Sequence, residues 1–241
     1  MGPALGAFAH AGSACGIARA EGAVCARRLL LASHTTGSEM LWIDHVIYGV
    51  QDLERARGRF ETEYGLPVLD GGIHPGGTRN AVVACQDDAT YVELLAVHDP
   101  TRPMARWLSR MITDGDGWCG WALRTDDIAG VAARLGIATR PGSIERADGT
   151  VGSWTLASIE PRTSAEAHLP FFIDYGPSRR PPGVPPGAPL AVAWVEVGGE
   201  TSRLAEWLGG EVHGVRLVGG EPGIHAVGLA MSGEIEIRVP R

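Results

Sequence analysis

Two residues in apolar surroundings carry the chemistry that stands out in this chain. His45 lies in the stretch IDHVIYGV (residues 43–50) and Glu93 in TYVELLAV (residues 90–97). A buried carboxylate costs several kcal/mol unless it is paired or coordinates a cation, so Glu93 asks for a partner. His45 is the first candidate. Imidazole plus carboxylate suits Fe²⁺, Mn²⁺, Ni²⁺ or Zn²⁺ without selecting among them; without an ion the two form a polar pair. Between them runs GGIHPGGTRN (residues 71–80), which offers His74, Arg79 and Asn80. Glycine's permissive backbone would explain such a loop as a turn. Its functional reading is a rim where the three side chains meet a polar or anionic ligand, with Arg79 clamping a carboxylate through paired hydrogen bonds. Glu93 and His74 are the candidate catalytic groups.

Both stretches read as strands, in which side chains alternate between faces. On the first, His45 is expected to share a face with Ile43 and Ile47, leaving Val46, Tyr48 and Val50 to pack on a helix. On the second, Glu93 shares a face with Tyr91 and Leu95, while Val92, Leu94 and Ala96 turn away. His45 and Glu93 therefore look into whatever the sheet encloses.

Composition removes several function classes. The net charge of −7 argues against nucleic acid or an anionic membrane as a partner. All 21 basic residues are arginine, which excludes Schiff-base chemistry and pyridoxal phosphate anchoring. The four cysteines, Cys15, Cys25, Cys85 and Cys119, show no CxxC spacing, so a reducing cytoplasm is the expected location. No apolar run reaches the roughly 20 residues of a spanning helix. There is neither a GK[ST] phosphate loop nor a Gly-x-Ser-x-Gly elbow.

Residues 1–39 show no steady apolar period and are expected to be a disordered extension. Arg27-Arg28 followed by three leucines is too short an apolar run for an export signal, and Met40 is a candidate start. From there a unit of strand, polar cap, helix and glycine repeats. Strand 42–50 leads to Asp52, then to a helix carrying Leu53, Ala56, Phe60 and Tyr64, then to Gly65. Strand 118–125 leads to Asp127, a helix with Ile128, Val131, Ala132 and Leu135, and Gly136. Strand 190–197 leads to Thr201-Ser202, a helix with Leu204, Trp207 and Leu208, and Gly209. The closing glycines lie 71 and 73 residues apart. Further strand-like runs follow each one, so each copy reads as βαβββ. A short amphipathic helix presenting Met104, Trp107, Leu108 and Met111 separates the first two copies. The expected organisation is a domain of two modules over 40–176, a stiff Pro-rich linker over 177–189, and a third module over 190–241 on the same domain.

Tandem βαβββ modules with DH in the first strand and a glutamate in the fourth resemble the vicinal oxygen chelate superfamily of glyoxalases, extradiol dioxygenases and bleomycin-resistance proteins. The finer resemblance is to the glyoxalase-like domain family, carried by DHVIYGVQDL, GGIHPGGTRNAVV, YVELLAV, DGTVGSWTLAS and LPFFIDYG over residues 43–176. It implies an α+β fold, a curved and mostly antiparallel sheet with helices outside. It also implies that His45 and Glu93 sit on neighbouring strands of a cup and bind a divalent ion. The matching positions of the second module are Gly120 and Phe172 in one register, and shifting the latter by two brings in Asp174 as a third ligand. Strand parity in that module turns Trp118 and Phe172 toward the cup as substrate-binding residues. The implied activity is a metal-dependent lyase, isomerase or dioxygenase acting on a small oxygen-rich molecule. The alternative is a bleomycin-resistance-type protein that sequesters a small ligand without chemistry. The oligomeric state stays open between monomer and homodimer.

Overall fold

The computed structural model of the chain describes residues 40–84, 90–158, 166–178, 190–231 and 235–240. The extension 1–39, Cys15, Cys25, Cys85, linker residues 179–189 and the start of the last expected strand at Glu234 lie outside them.

The first module is β1 (Trp42–Val50), α1 (Leu53–Glu63), β2 (Leu69–Ile73), β3 (Thr78–Ala84) and β4 (Tyr91–Val97). After α2 (Pro103–Met111) comes the second: β5 (Gly117–Arg124), α3 (Ile128–Leu135), β6 (Thr139–Arg146), β7 (Val151–Ala157) and β8 (Phe171–Asp174). Their strands close into a barrel in the order β1-β4-β3-β2-β6-β7-β8-β5. The pairs β1–β4 and β5–β8 are parallel and the other barrel pairs antiparallel. The fold is thus α+β, a curved, mostly antiparallel sheet with α1 and α3 outside and α2 against the inner face. A third unit, β9 (Leu190–Gly198), α4 (Thr201–Leu208), β10 (Val215–Val218), β11 (Gly223–Met231) and β12 (Ile235–Pro240), forms a four-stranded sheet ordered β10-β9-β11-β12.

Local chemistry sets the helix ends. Asp52 caps α1 by accepting from the Arg55 amide at 3.1 Å, and Asp127 caps α3 by accepting from the Gly130 amide at 2.9 Å. Gly136 and Gly209 end α3 and α4 in the left-handed region, at φ 65° and 71°. In α4 the cap position is Glu200 rather than Thr201, and Glu200 makes no side-chain cap; the Ser202 hydroxyl bonds back to its carboxylate instead.

Apolar side chains form two layers. Outside the barrel, Val46, Tyr48 and Val50 meet Leu53, Ala56 and Phe60 of α1, and the same cluster takes in Val192, Val195 and Val197 of β9 and Leu204 and Trp207 of α4. The Trp207 indole donates to the Pro170 carbonyl at 3.0 Å, tying α4 to the start of β8. Inside, Ile47, Leu95, Ala122, Leu156, Phe171 and Ile173 pack with Leu108 and Ile112 at the end of α2. Strand β6 carries Pro141 and Gly142 and lacks an alternating apolar pattern, so the sequence reading passes over it; pairing with β7 along its whole length holds it in place.

Candidate functional site

The barrel encloses a cavity of about 460 Å³. One side is polar, with His45, His74, Thr78, Asn80 and Glu93; the rest is mostly apolar, with Met104, Trp107 and Met111 of α2 along one wall.

His45 reaches the interior through a β-bulge. Ile43 pairs with Leu123 and His45 with Ala122, so Asp44 is the extra residue. The bulge separates the faces of Ile43 and His45, which strict alternation puts together: Ile43 joins the outer cluster and His45 lines the cavity. It also buries Asp44 completely. Asp44 Oδ1 accepts from His45 Nδ1 at 2.6 Å and from the Tyr175 hydroxyl at 2.9 Å, while its other oxygen is buried with no partner among the described residues. A carboxylate on Nδ1–H fixes the tautomer and leaves the Nε2 lone pair facing the cavity. Tyr91 stacks on the His45 ring, with centroids 4.5 Å apart, and hydrogen-bonds Tyr175. Burial pushes both tyrosine hydroxyls well above the usual phenol range, and the Asp44 charge adds to it.

Glu93 sits between two imidazoles. His45 Nε2 lies 3.8 Å from Oε2, and His74 Nε2 lies 3.7 Å from Oε1. Asn80 donates from Nδ2 to Oε1 at 2.7 Å. The orientation of that amide is set because Oδ1 accepts from the Gly72 amide at 2.8 Å. A side chain at Gly71 would collide with the same Asn80 oxygen, so glycine is required there. Among the described residues no hydrogen-bond donor reaches Oε2. His74 bonds Thr78 Oγ1 through Nδ1 at 3.1 Å. Burial lowers its pKa, the Glu93 charge opposes that shift, and His45 adds to it. Cys119 also lines the cavity, but burial pushes its thiol up to about 12, which removes it as a nucleophile.

The structure thus brings His45, His74, Asn80 and Glu93 together. It places the other expected site residues elsewhere. Arg79 is exposed, because Thr78, Asn80 and Val82 take the inward positions of β3. Trp118 belongs to the outer core against Tyr48, with ring centroids 4.9 Å apart. The reason is a bulge in β5: Gly120 pairs with Ile47 and Trp118 with Tyr48, so Cys119 is the extra residue and the alternation slips. Phe172 and Asp174 are displaced by register. His45 pairs with Ala122 and Gly120 with Ile47, a symmetric exchange that makes Gly120 the counterpart of His45 and Ala122 that of Ile47. Ile47 lies beside Glu93 and Ala122 beside Phe171, so Phe171 is the counterpart of Glu93. A slip of one residue turns every side chain over. Phe171, Ile173 and Tyr175 therefore face the cavity, Phe172 stacks on Trp207 outside, and Asp174 accepts from the Gly176 amide at 2.7 Å.

A divalent ion would find donors on one side only. The first module offers His45 and Glu93, with His74 beside them, whereas Gly120 and Phe171 have no donor atoms. Among the described residues no group of three or more His, Cys, Asp or Glu side chains is arranged to hold a metal. The donor set does not fit a complete metal centre. Asp44, Tyr91 and Tyr175 are the site residues that the sequence reading missed. The acidic residue of DH was the available signal for Asp44.

No helix among the described residues is long and apolar enough to cross a membrane. No curated protein matches the chain. Among solved structures, a hypothetical protein from Staphylococcus aureus matches with a TM-score of 0.53 at 17% identity, over 83% of this chain and 86% of that one. That likeness extends the shared fold to most of the chain. Methylmalonyl-CoA epimerase from Mycobacterium tuberculosis matches with a TM-score of 0.44 at 20% identity, over 60% of this chain and 95% of that one. The profile of the glyoxalase-like domain family matches residues 43–211, from the bulged DH strand to the end of α4. The chain belongs to the glyoxalase-like domain family, within the vicinal oxygen chelate superfamily.

Proposed function

We propose that the barrel cavity belongs to a proton-transfer enzyme, an isomerase or lyase acting on a small molecule with a C–H bond beside a carbonyl. The observation that carries this reading is the state of Glu93: one oxygen is anchored by Asn80, and the other meets no donor among the described residues at the wall of a largely apolar cavity. Glu93 Oε2 takes the proton from carbon, the C–H electrons move to the carbonyl oxygen, and the resulting enolate accepts a hydrogen bond. His74 is the donor. Burial favours its neutral form, and the tautomer that serves as donor is the one in which Nδ1 accepts from the Thr78 hydroxyl and Nε2, beside Glu93, carries the proton. His45, fixed by Asp44, presents a lone pair on the other side. The protonated Glu93 then returns its proton to the same carbon or to a neighbouring atom. Removing water from such a site strengthens each of these interactions.

The second reading is sequestration without chemistry. It is favoured by the apolar wall away from Glu93 and by Gly120 and Phe171 at the positions matching His45 and Glu93. Deuterium uptake from D₂O into a panel of aryl ketones and β-keto acids, followed by NMR, separates the two. Proton transfer predicts exchange that falls about 100-fold or more in Glu93→Gln, the usual scale for losing a general base. Tight binding with no exchange on any panel member supports sequestration. Activity lost on dialysis against a chelator and restored by Mn²⁺ or Zn²⁺ would overturn the metal-free mechanism.

A further inference from the structure

The cavity contains a cation that the mechanism above does not use. Arg146 ends β6 and lines the cavity, half-buried. It is linked to the base by a short chain of contacts. Arg146 pairs with Gly72 across β2 and β6, the Gly72 amide holds Asn80 Oδ1, and Asn80 Nδ2 holds Glu93. The Arg146 guanidinium lies over the backbone of β7 at Gly152, where an added methyl would come within 3.2 Å of both terminal nitrogens. Glycine therefore seats the arginine against the barrel wall. Among the described residues this side chain makes no hydrogen bond or salt bridge, and its charge acts only at a distance on exposed Asp148. A guanidinium offers five N–H donors in a planar fork that matches a carboxylate.

The remaining charges around the cavity do not answer it. Among the described residues Glu93 makes no ion pair with Arg146, its near basic groups being His45 and His74, and Asp70 is paired with Arg57 of α1. Arg140, six residues earlier on the same strand, also lines the cavity but has interactions of its own. Along β7 the next inward side chain after Gly152 is Trp154, opposite Gly142, so the wall beside the guanidinium is apolar. A ligand filling this space would have a negative end and an apolar body.

We propose that Arg146 is the carboxylate-binding group of the cavity and that the ligand is a small amphipathic carboxylic acid. Its carboxylate pairs with the guanidinium, and its apolar body lies against Trp154. The proposal rests on the cavity being the ligand site and adds the charge of the ligand. It also moves anion recognition from Arg79, which faces solvent, to an arginine facing the interior.

A matched pair of probes tests it on the full chain: 4-phenylbutanoate and 4-phenylbutanol, with affinities from calorimetry and tryptophan fluorescence. The acid is expected to bind about tenfold or more tighter than the alcohol, the scale of a hydrogen bond to a charged group. The preference should vanish in Arg146→Met, persist in part in Arg146→Lys, and be unchanged in Arg79→Met, with circular dichroism confirming that each variant folds. Gly152→Val should also reduce it by displacing the guanidinium. Equal affinity for acid and alcohol overturns the proposal, as does a preference that survives Arg146→Met or the failure of both probes to bind. Alcohol binding and intact deuterium exchange without acid preference would sink the charge assignment alone. Acid preference without exchange would sink the proton-transfer reading alone.

Discussion

Asn80→Ala tests the polar end of the cavity most directly. The carboxamide makes two hydrogen bonds: Oδ1 accepts from the Gly72 amide at 2.8 Å and Nδ2 donates to Glu93 at 2.7 Å. The first joins neutral groups and contributes about 1 kcal/mol, while the second involves a carboxylate and contributes about 1.5–3 kcal/mol. Truncation should therefore cost about 2.5–4 kcal/mol, with water entering the cavity favouring the lower end. For a domain of this size, 1 kcal/mol moves Tm by about 2–4 °C, so the expected drop is roughly 5–16 °C. Urea titration and thermal melting followed by circular dichroism measure it. Arg79→Ala is the control, since the neighbouring side chain on β3 is exposed and should change stability by about 0.5 kcal/mol or less. Asn80→Asp adds a pH dimension. It keeps an acceptor for Gly72 but sets a second carboxylate against Glu93, and two like charges at that spacing cannot both ionise. At neutral pH the folded pair then holds a proton that the unfolded chain has lost, so this variant must gain stability as pH falls from 7 toward 5. Equal effects of Asn80→Ala and Arg79→Ala, or an Asn80→Asp variant with flat pH dependence, would refute the Gly72–Asn80–Glu93 bridge.

Three further outcomes follow from the same geometry. Burial lowers the pKa of His74 below the ordinary histidine value of 6.5, so its contribution to stability is full above that value and declines as pH falls below it; urea titrations at pH 7.5 and 5.0 should show a smaller acid loss in His74→Gln than in the parent. Cys119, with its thiol pushed up to about 12, should resist iodoacetamide at pH 8 until denaturant is added, as read by peptide mass spectrometry. Phe60→Ala removes a fully buried ring that packs edge-on against Tyr48 and Tyr64 and should cost about 3–5 kcal/mol, whereas Glu61→Ala on the exposed side should be nearly silent in the same titration.

The half of the site that could be read from sequence is the half where strand alternation is uninterrupted. On β4 the pattern Tyr91, Glu93, Leu95 inward and Val92, Leu94, Ala96 outward needs only a pleat, whereas on β3, where the sequence suggests a loop with Arg79 and Asn80 both on its rim, it is the strand that separates Asn80 from Arg79. Where alternation is broken, local composition does not locate the break. The bulge at Asp44 moves Ile43 to the outer face and buries a carboxylate behind His45, and the bulge at Cys119 sends Trp118 outward. Bulges are settled by which neighbour a strand pairs with, a long-range fact that local composition does not encode. Strand β8 shows the cost of a missing anchor. FFID carries no charged residue at the position that Glu93 marks on β4, so its register could be matched equally well one residue away, and that slip exchanged Phe171 for Phe172. Strand β6 is the other side of the same limit. TRPGSIER has too few apolar residues to announce a strand, because its inward positions are Arg140, Gly142, Ile144 and Arg146. An arginine facing a barrel interior looks like an ordinary surface residue until the cavity it faces is known, and Arg140 and Arg146, rather than Arg79, are the arginines that line this cavity.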